Sequence, residues 1–162
     1  MASNLKNLSA YDKQGVPSAA GMRIGIAISE WNEEITQVLL KGAYSTLLKH
    51  GADEEDIYLD YVPGSFELPL GAQSLLNTEE LDAVICLGCV IQGETRHFDF
   101  ICNAVSTGIM KVSLDSGVPV IFGVLTTNTL QQAKDRSGGK HGNKGDEAAI
   151  SAIKMVALQN GL

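Results

Sequence analysis

Apolar residues recur along the chain with two periods. Residues 22–28 and 57–61 are short β-type runs, the second alternating Ile57, Leu59 and Tyr61 with Tyr58 and Asp60. Residues 83–91 and 118–125 are uniformly apolar, the pattern of strands buried on both faces. Helical spacing fills the gaps. Glu33 to His50 carries Ile35, Val38, Leu39, Gly42, Ala43 and Leu47 on one stripe. Asn32 is its expected N-cap, Glu33 and Glu34 fall in the first turn, and Lys49 and His50 precede Gly51. His50 is most simply a residue that complements the helix dipole. Pro69 suits the first turn of a short helix to about Asn77. A longer helix runs from Phe98 to about Asp115 before Gly117 and Pro119, and a short one ends near Arg136. The last helix opens on Asp146 and Glu147 and stops at Gly161. Strands alternating with helices predict an α/β fold, a three-layer αβα arrangement around a parallel four-stranded sheet. Residues 1–21 show no periodicity and are expected to form a flexible N-terminal arm, with 22–162 as a single domain.

In such sheets ligands bind beyond the carboxyl ends of the strands. The residues with chemistry to offer fall there: Trp31 and Asn32, Ser65 to Glu67, Gln92 to His97, Phe122 within the fourth strand and Thr126 at its end. The central junction is 92–97, where an apolar strand stops at a polar loop and a helix is expected at Phe98. A helix start presents free N–H groups and a positive dipole end, and Gly93 lets a ligand approach the backbone. Gly93-Glu94-Thr95 can therefore hold a phosphate, with the Glu94 side chain turned elsewhere. His97 is a natural proton shuttle. The bland reading is an ordinary βα turn with Thr95 near the N-cap. Trp31, Phe66 and Phe122 can each stack on a flat heterocycle, although each alone is more often packing. Glu67 can accept from hydroxyls or amides, or simply complement a helix start.

Composition narrows the possibilities. A net charge of −7 with no dominant basic stripe argues against general nucleic-acid binding. No apolar run has the length of a membrane span, and the polar N-terminus has no signal-peptide core, so a cytoplasmic location is expected. Three cysteines suit a reducing compartment. Cys86 and Cys89 have redox or zinc spacing, but an odd offset within a strand points them to opposite faces. They read as small buried hydrophobes. Phosphate-loop and dinucleotide glycine signatures are absent. A flavodoxin-like electron carrier lacks its hydroxyl-rich loop at Ser29-Glu30-Trp31-Asn32, and a receiver domain lacks its acid at Cys89-Val90-Ile91. Lys134, Arg136, Lys140 and Lys144 crowd around a glycine-rich loop, Ser137 to Gly145, and look like an anion site.

Taken together, Trp31-Asn32, Pro63-Gly64-Ser65-Phe66-Glu67-Leu68-Pro69, Gly93-Glu94-Thr95-Arg96-His97-Phe98-Asp99, the run Gly117 to Thr126, and Gly142-Asn143-Lys144-Gly145 resemble the 6,7-dimethyl-8-ribityllumazine synthase family. The resemblance covers the chain from about residue 22 onward and implies a flavodoxin-like fold. It implies condensation of 5-amino-6-(D-ribitylamino)uracil with 3,4-dihydroxy-2-butanone 4-phosphate, the penultimate step of riboflavin biosynthesis, with no metal or organic cofactor. By that resemblance Trp31, Ser65, Phe66, Glu67, Cys89, Val90, Ile91 and Phe122 bind the pyrimidine substrate. Glu94, Thr95, Arg136 and Lys144 bind the phosphate substrate, and His97 is catalytic. It further implies sites shared between neighbours, with Phe122 and Arg136 arriving from the next subunit of a homopentamer. Since the Arg136–Lys144 loop is not lengthened, a shell of sixty subunits is expected, together with an association with riboflavin synthase. A non-catalytic flavin or lumazine carrier and a pure scaffold are the alternatives.

Overall fold

The structure, a computed structural model, describes residues 7–161. Four parallel strands, β1 (Ile24–Ser29), β2 (Ile57–Val62), β3 (Ala83–Ile91) and β4 (Val120–Thr127), form one sheet in the order β2-β1-β3-β4. This is the three-layer, flavodoxin-like α/β arrangement expected. The central strands β1 and β3 pair from Ile24–Ala83 to Ile28–Leu87, and β3 then continues with β4 as far as Ile91–Thr127.

Alternation along the strands divides the core. Ile24, Ile26, Ile28, Ile85, Leu87 and Cys89 face α1 (Glu33–Lys49) and α5 (Lys144–Gln159). Ala27, Val84, Cys86, Val120 and Val124 face α2 (Leu68–Thr78) and α3 (His97–Ser116). The two cysteines therefore lie on opposite faces. α1 and α5 cross closely because Gly145 sits where any Cβ would collide with the Leu39 carbonyl. Asn143 ties the same corner, its Nδ2 donating to Val38 O at 2.9 Å and its Oδ1 accepting from Gly145 N at 2.8 Å.

Several expectations need revision. β1 and β4 each begin and end later along the chain than the apolar runs suggest, at Ile24–Ser29 and Val120–Thr127. The glycine-rich segment is no open loop: β5 (Ser137–Gly139) and β6 (Gly142–Asn143) form an antiparallel hairpin after α4 (Leu130–Arg136), and α5 already starts at Lys144. Residues 7–21 of the expected arm run along the domain. Leu8 N donates to His141 O at 2.7 Å, Tyr11 Oη and His50 Nε2 share a hydrogen bond at 3.0 Å, and Ala19 is buried in the core. Residues 1–6 of that arm lie outside the described residues. Among the described residues no helix is long and apolar enough to cross a membrane.

α3 departs most from the usual half-buried helix. Of its twenty residues only Val105 and Ile109 are buried. Phe100, Asn103, Thr107, Met110 and Leu114, alternately three and four positions apart, form an exposed stripe on which Phe100 and Leu114 are 70% and 74% exposed. Heptad spacing of this kind is what one helix presents to another.

Candidate active site

At the carboxyl ends of the strands, three connections converge on one cleft of about 260 Å³. It is lined by Trp31 and Asn32 from the β1–α1 connection, by Gly64 to Glu67 from β2–α2, and by Cys89, Val90 and Ile91 at the end of β3. His97 and Ile101 of α3 complete it. Nine of the residues singled out from sequence thus meet: Trp31, Asn32, Ser65, Phe66, Glu67, Cys89, Val90, Ile91 and His97. A larger groove on α3, along Ser106 to Asp115, has mostly apolar walls and no such gathering of chemistry.

The backbone holds the cleft's rim. Glu30 N donates to Val62 O at 2.8 Å and Trp31 N to Pro63 O at 3.1 Å, lacing the first connection to the second. Asn32 does not cap α1 with its side chain as expected. It occupies the N-cap position in the left-handed region (φ 62°, ψ 44°), and its Nδ2 instead donates to Cys89 O at 2.8 Å. Its carbonyl accepts from Ile35 and Thr36 N–H and so starts the helix. Trp31 is 73% exposed, an aromatic residue open to a ligand. Ser65 is the opposite case. Its hydroxyl is buried against Gly88, where a Cβ would crowd it, and has no hydrogen-bond partner. A buried hydroxyl costs stability unless it is satisfied, so its place in a ligand cleft suggests a ligand atom as partner.

The loop after β3 is built to present N–H groups. Gln92 N donates to Thr127 O at 2.8 Å, and the Gln92 Nε2 donates to Gly93 O at 2.8 Å and Thr95 O at 3.3 Å. With those carbonyls engaged, the N–H groups of residues 93–96 have no protein acceptor among the described residues. His97 N donates to Thr95 Oγ1 at 3.4 Å. Free donors at the start of a twenty-residue helix are the kind of group that can hold an anion. His97 is the first residue of that helix, not the last of the loop. Glu94 and Thr95 are exposed beside the cleft without lining it.

Three expected site residues lie apart in the single chain. Phe122 sits on the edge strand β4 opposite Cys86, half-buried against the α2–α3 side of the core. Arg136 ends α4, its Nη1 donating to Gln132 O at 3.1 Å. Lys144 opens α5, paired with Glu147 at 2.7 Å. Three of the four clustered cations have carboxylate partners. Lys134 pairs with Glu34 at 3.0 Å, Lys140 with Asp135 at 3.2 Å and Lys144 with Glu147, leaving Arg136 as the member without a carboxylate among the described residues. The Lys134 and Lys140 pairs are largely exposed and weak, so those ammonium groups stay available to other anions. Burial pushes the thiols of Cys86 and Cys89 up to about 12, so neither supplies a thiolate nucleophile. Sequence reading missed Gln92 as the loop's organiser and Asn32 as a bridge. Only a left-handed propensity, which asparagine shares with helix capping, could have hinted at the second.

The family model described as 6,7-dimethyl-8-ribityllumazine synthase matches residues 21–160. A protein of that name from Cytophaga hutchinsonii is 61% identical over 157 residues, 97% of this chain and 98% of its own length. Those from Parabacteroides distasonis and Porphyromonas gingivalis are 56% and 53% identical, covering 96% and 98% of this chain and 98% and 99% of their own. The chain belongs to the 6,7-dimethyl-8-ribityllumazine synthase family.

Proposed function

We propose that the protein condenses 5-amino-6-(D-ribitylamino)uracil with 3,4-dihydroxy-2-butanone 4-phosphate, releasing phosphate and water and forming 6,7-dimethyl-8-ribityllumazine. The observation that carries this reading is the joining of an aromatic- and hydroxyl-bearing cleft to an anion cradle, with His97 at the seam. A pyrimidine stacks on Trp31, and its ribityl chain meets Ser65, Phe66 and Glu67. Strand-end backbone at Cys89 to Ile91 supports the ring's polar edge. The phosphate of the second substrate lies on the free N–H groups at Glu94 and Thr95.

Holding both substrates makes the attack of the amine on the ketone effectively unimolecular. His97 relays protons as the carbinolamine loses water and as phosphate departs. The dipole end of α3 stabilises the leaving anion.

Assembly is part of the same reading. Arg136 is a half-buried guanidinium with no carboxylate partner among the described residues, and Phe122 lies on the open edge of the sheet. Both are contributed to the neighbour's cleft in a homopentamer, a closed ring of heterologous contacts. The exposed heptad stripe of α3 is the face on which five copies meet, with sixty subunits in the complete shell. Lys144, which lies apart from its own chain's cleft and shares its charge with Glu147, would approach the phosphate from a neighbouring subunit. Free cysteines accord with a cytoplasmic setting. Association with riboflavin synthase inside that shell is tested by co-purification.

The decisive experiment mixes protein with both substrates and follows the fluorescent lumazine. Product formation is expected. Flavin binding without turnover would mark a carrier, and particles with neither would mark a scaffold. A lone pentamer in sedimentation at neutral pH would overturn the shell.

A further inference from the structure

We infer that Asn32 is a positioning residue whose side chain clamps the exposed Trp31 platform to the end of β3, fixing the gap into which a flat substrate slides. The inference rests on the active-site reading above. Its starting point is a break in the sheet. The β1–β3 ladder ends at Ile28–Leu87, yet β3 runs on to Ile91. Cys89 O, two residues past that end, accepts from Asn32 Nδ2 at 2.8 Å, so a side-chain amide takes over where the backbone of β1 has turned away.

Asn32 also adopts the only left-handed backbone of any non-glycine among the described residues. Such a conformation persists where the surroundings impose it, and asparagine tolerates it better than most. Here it sends the carbonyl to α1 and the amide to β3 at once. Trp31, mostly exposed, has little packing to hold it. Within its own chain, its orientation therefore comes from its backbone. That backbone is tied to the β2–α2 connection through Pro63 O, and Ser29 Oγ donates to the Trp31 carbonyl at 3.3 Å. Neither bond reaches the β3 end of the cleft. The amide of Asn32 does.

Two variants separate the side chain from the backbone. Asn32→Gly accepts the left-handed conformation freely and removes the amide. Asn32→Asp keeps the size but sets a carboxylate against the Cys89 carbonyl, with no proton to donate. Trp31 is the one tryptophan of the chain, so its fluorescence reports the platform directly. In the intact assembled protein without substrate, both variants should show a larger fast component in the time-resolved anisotropy of Trp31. In steady-state assays both should raise KM for the aminopyrimidine about tenfold while KM for the phosphate substrate stays within about twofold. Wild-type anisotropy and KM in Asn32→Gly would overturn the clamp, because the backbone alone would suffice. A parallel rise of both KM values with a fall in the thermal midpoint and unchanged anisotropy would also overturn it, marking a merely structural role. If the wild type makes no lumazine, the functional reading fails, while the anisotropy of the two variants still decides the clamp.

Discussion

His97 opens α3 with an exposed ring on the cleft wall, beside amides that can carry the departing phosphate. A positioned imidazole contributes on the order of 100-fold or more to a proton transfer. An amine and a ketone held together already react without it, because positioning supplies much of the gain. His97→Ala should therefore lower kcat by about a hundredfold without abolishing turnover. Unchanged turnover would remove His97 from the chemistry. The cysteines give a second test at this scale. Cys86 and Cys89 are buried, with thiols raised to about 12, whereas Cys102 on α3 is half-buried and raised by burial and by Asp99. An aromatic disulfide reagent near pH 8 should modify at most Cys102 in the native protein and all three thiols in denaturant. Rapid native reaction at two or more would contradict the packing of β3.

At the scale of elements, legibility followed how local the determinants were. β3 was readable to the residue because a run of nine apolar positions is bounded on both sides by polar ones. β1 and β4 shifted because their ends are set by pairing with neighbours, as at Ser29–Val62 and Ile91–Thr127, which no single segment encodes. The β5–β6 hairpin was missed for a related reason. Its glycines carry no alternation, and its place is fixed by contacts with α1 and with Ser9, whose Oγ accepts from Asn143 N at 2.9 Å. The stripe on α3 escaped notice since a periodic helix looks alike whether its second face meets water or another helix. The crossing of α1 and α5 offers the sharpest energetic check. Replacing a helical glycine by alanine gains about 1 kcal/mol in propensity. At Gly145, however, the new methyl would strike the Leu39 carbonyl and the Ala43 N–H at once. Backbone contacts cannot swing aside, and overpacking of this kind costs about 3 kcal/mol or more. Gly145→Ala should therefore lower the thermal midpoint by several degrees. A raised midpoint would mean that the two helices can part.

For the whole molecule, the single chain explains why part of the site could be named from sequence yet not assembled from one fold. The cleft gathers the groups carried by the β1, β2 and β3 connections, all of which end on one side of the sheet. Phe122 and Arg136 belong to the β4 side and do not line that cleft. A shared site reconciles the two, and subunit mixing tests it. Arg136→Gln alone should weaken the phosphate substrate with little change for the pyrimidine, since the guanidinium's charge-assisted bonds go to an anion. His97→Ala and Arg136→Gln subunits, unfolded together in equal amounts and reassembled, then produce a distinctive result. If each site takes His97 from one chain and Arg136 from the next, random rings place two intact partners together at about a quarter of the interfaces. The mixture should turn over faster than the mean of the two parents reassembled separately. If both residues served the same chain's cleft, every site would carry one lesion and mixing would restore nothing. Activity equal to the parental mean, with pentamers shown to contain both chains, would therefore return Arg136 to its own subunit and leave the anion cradle of α3 to hold the phosphate alone.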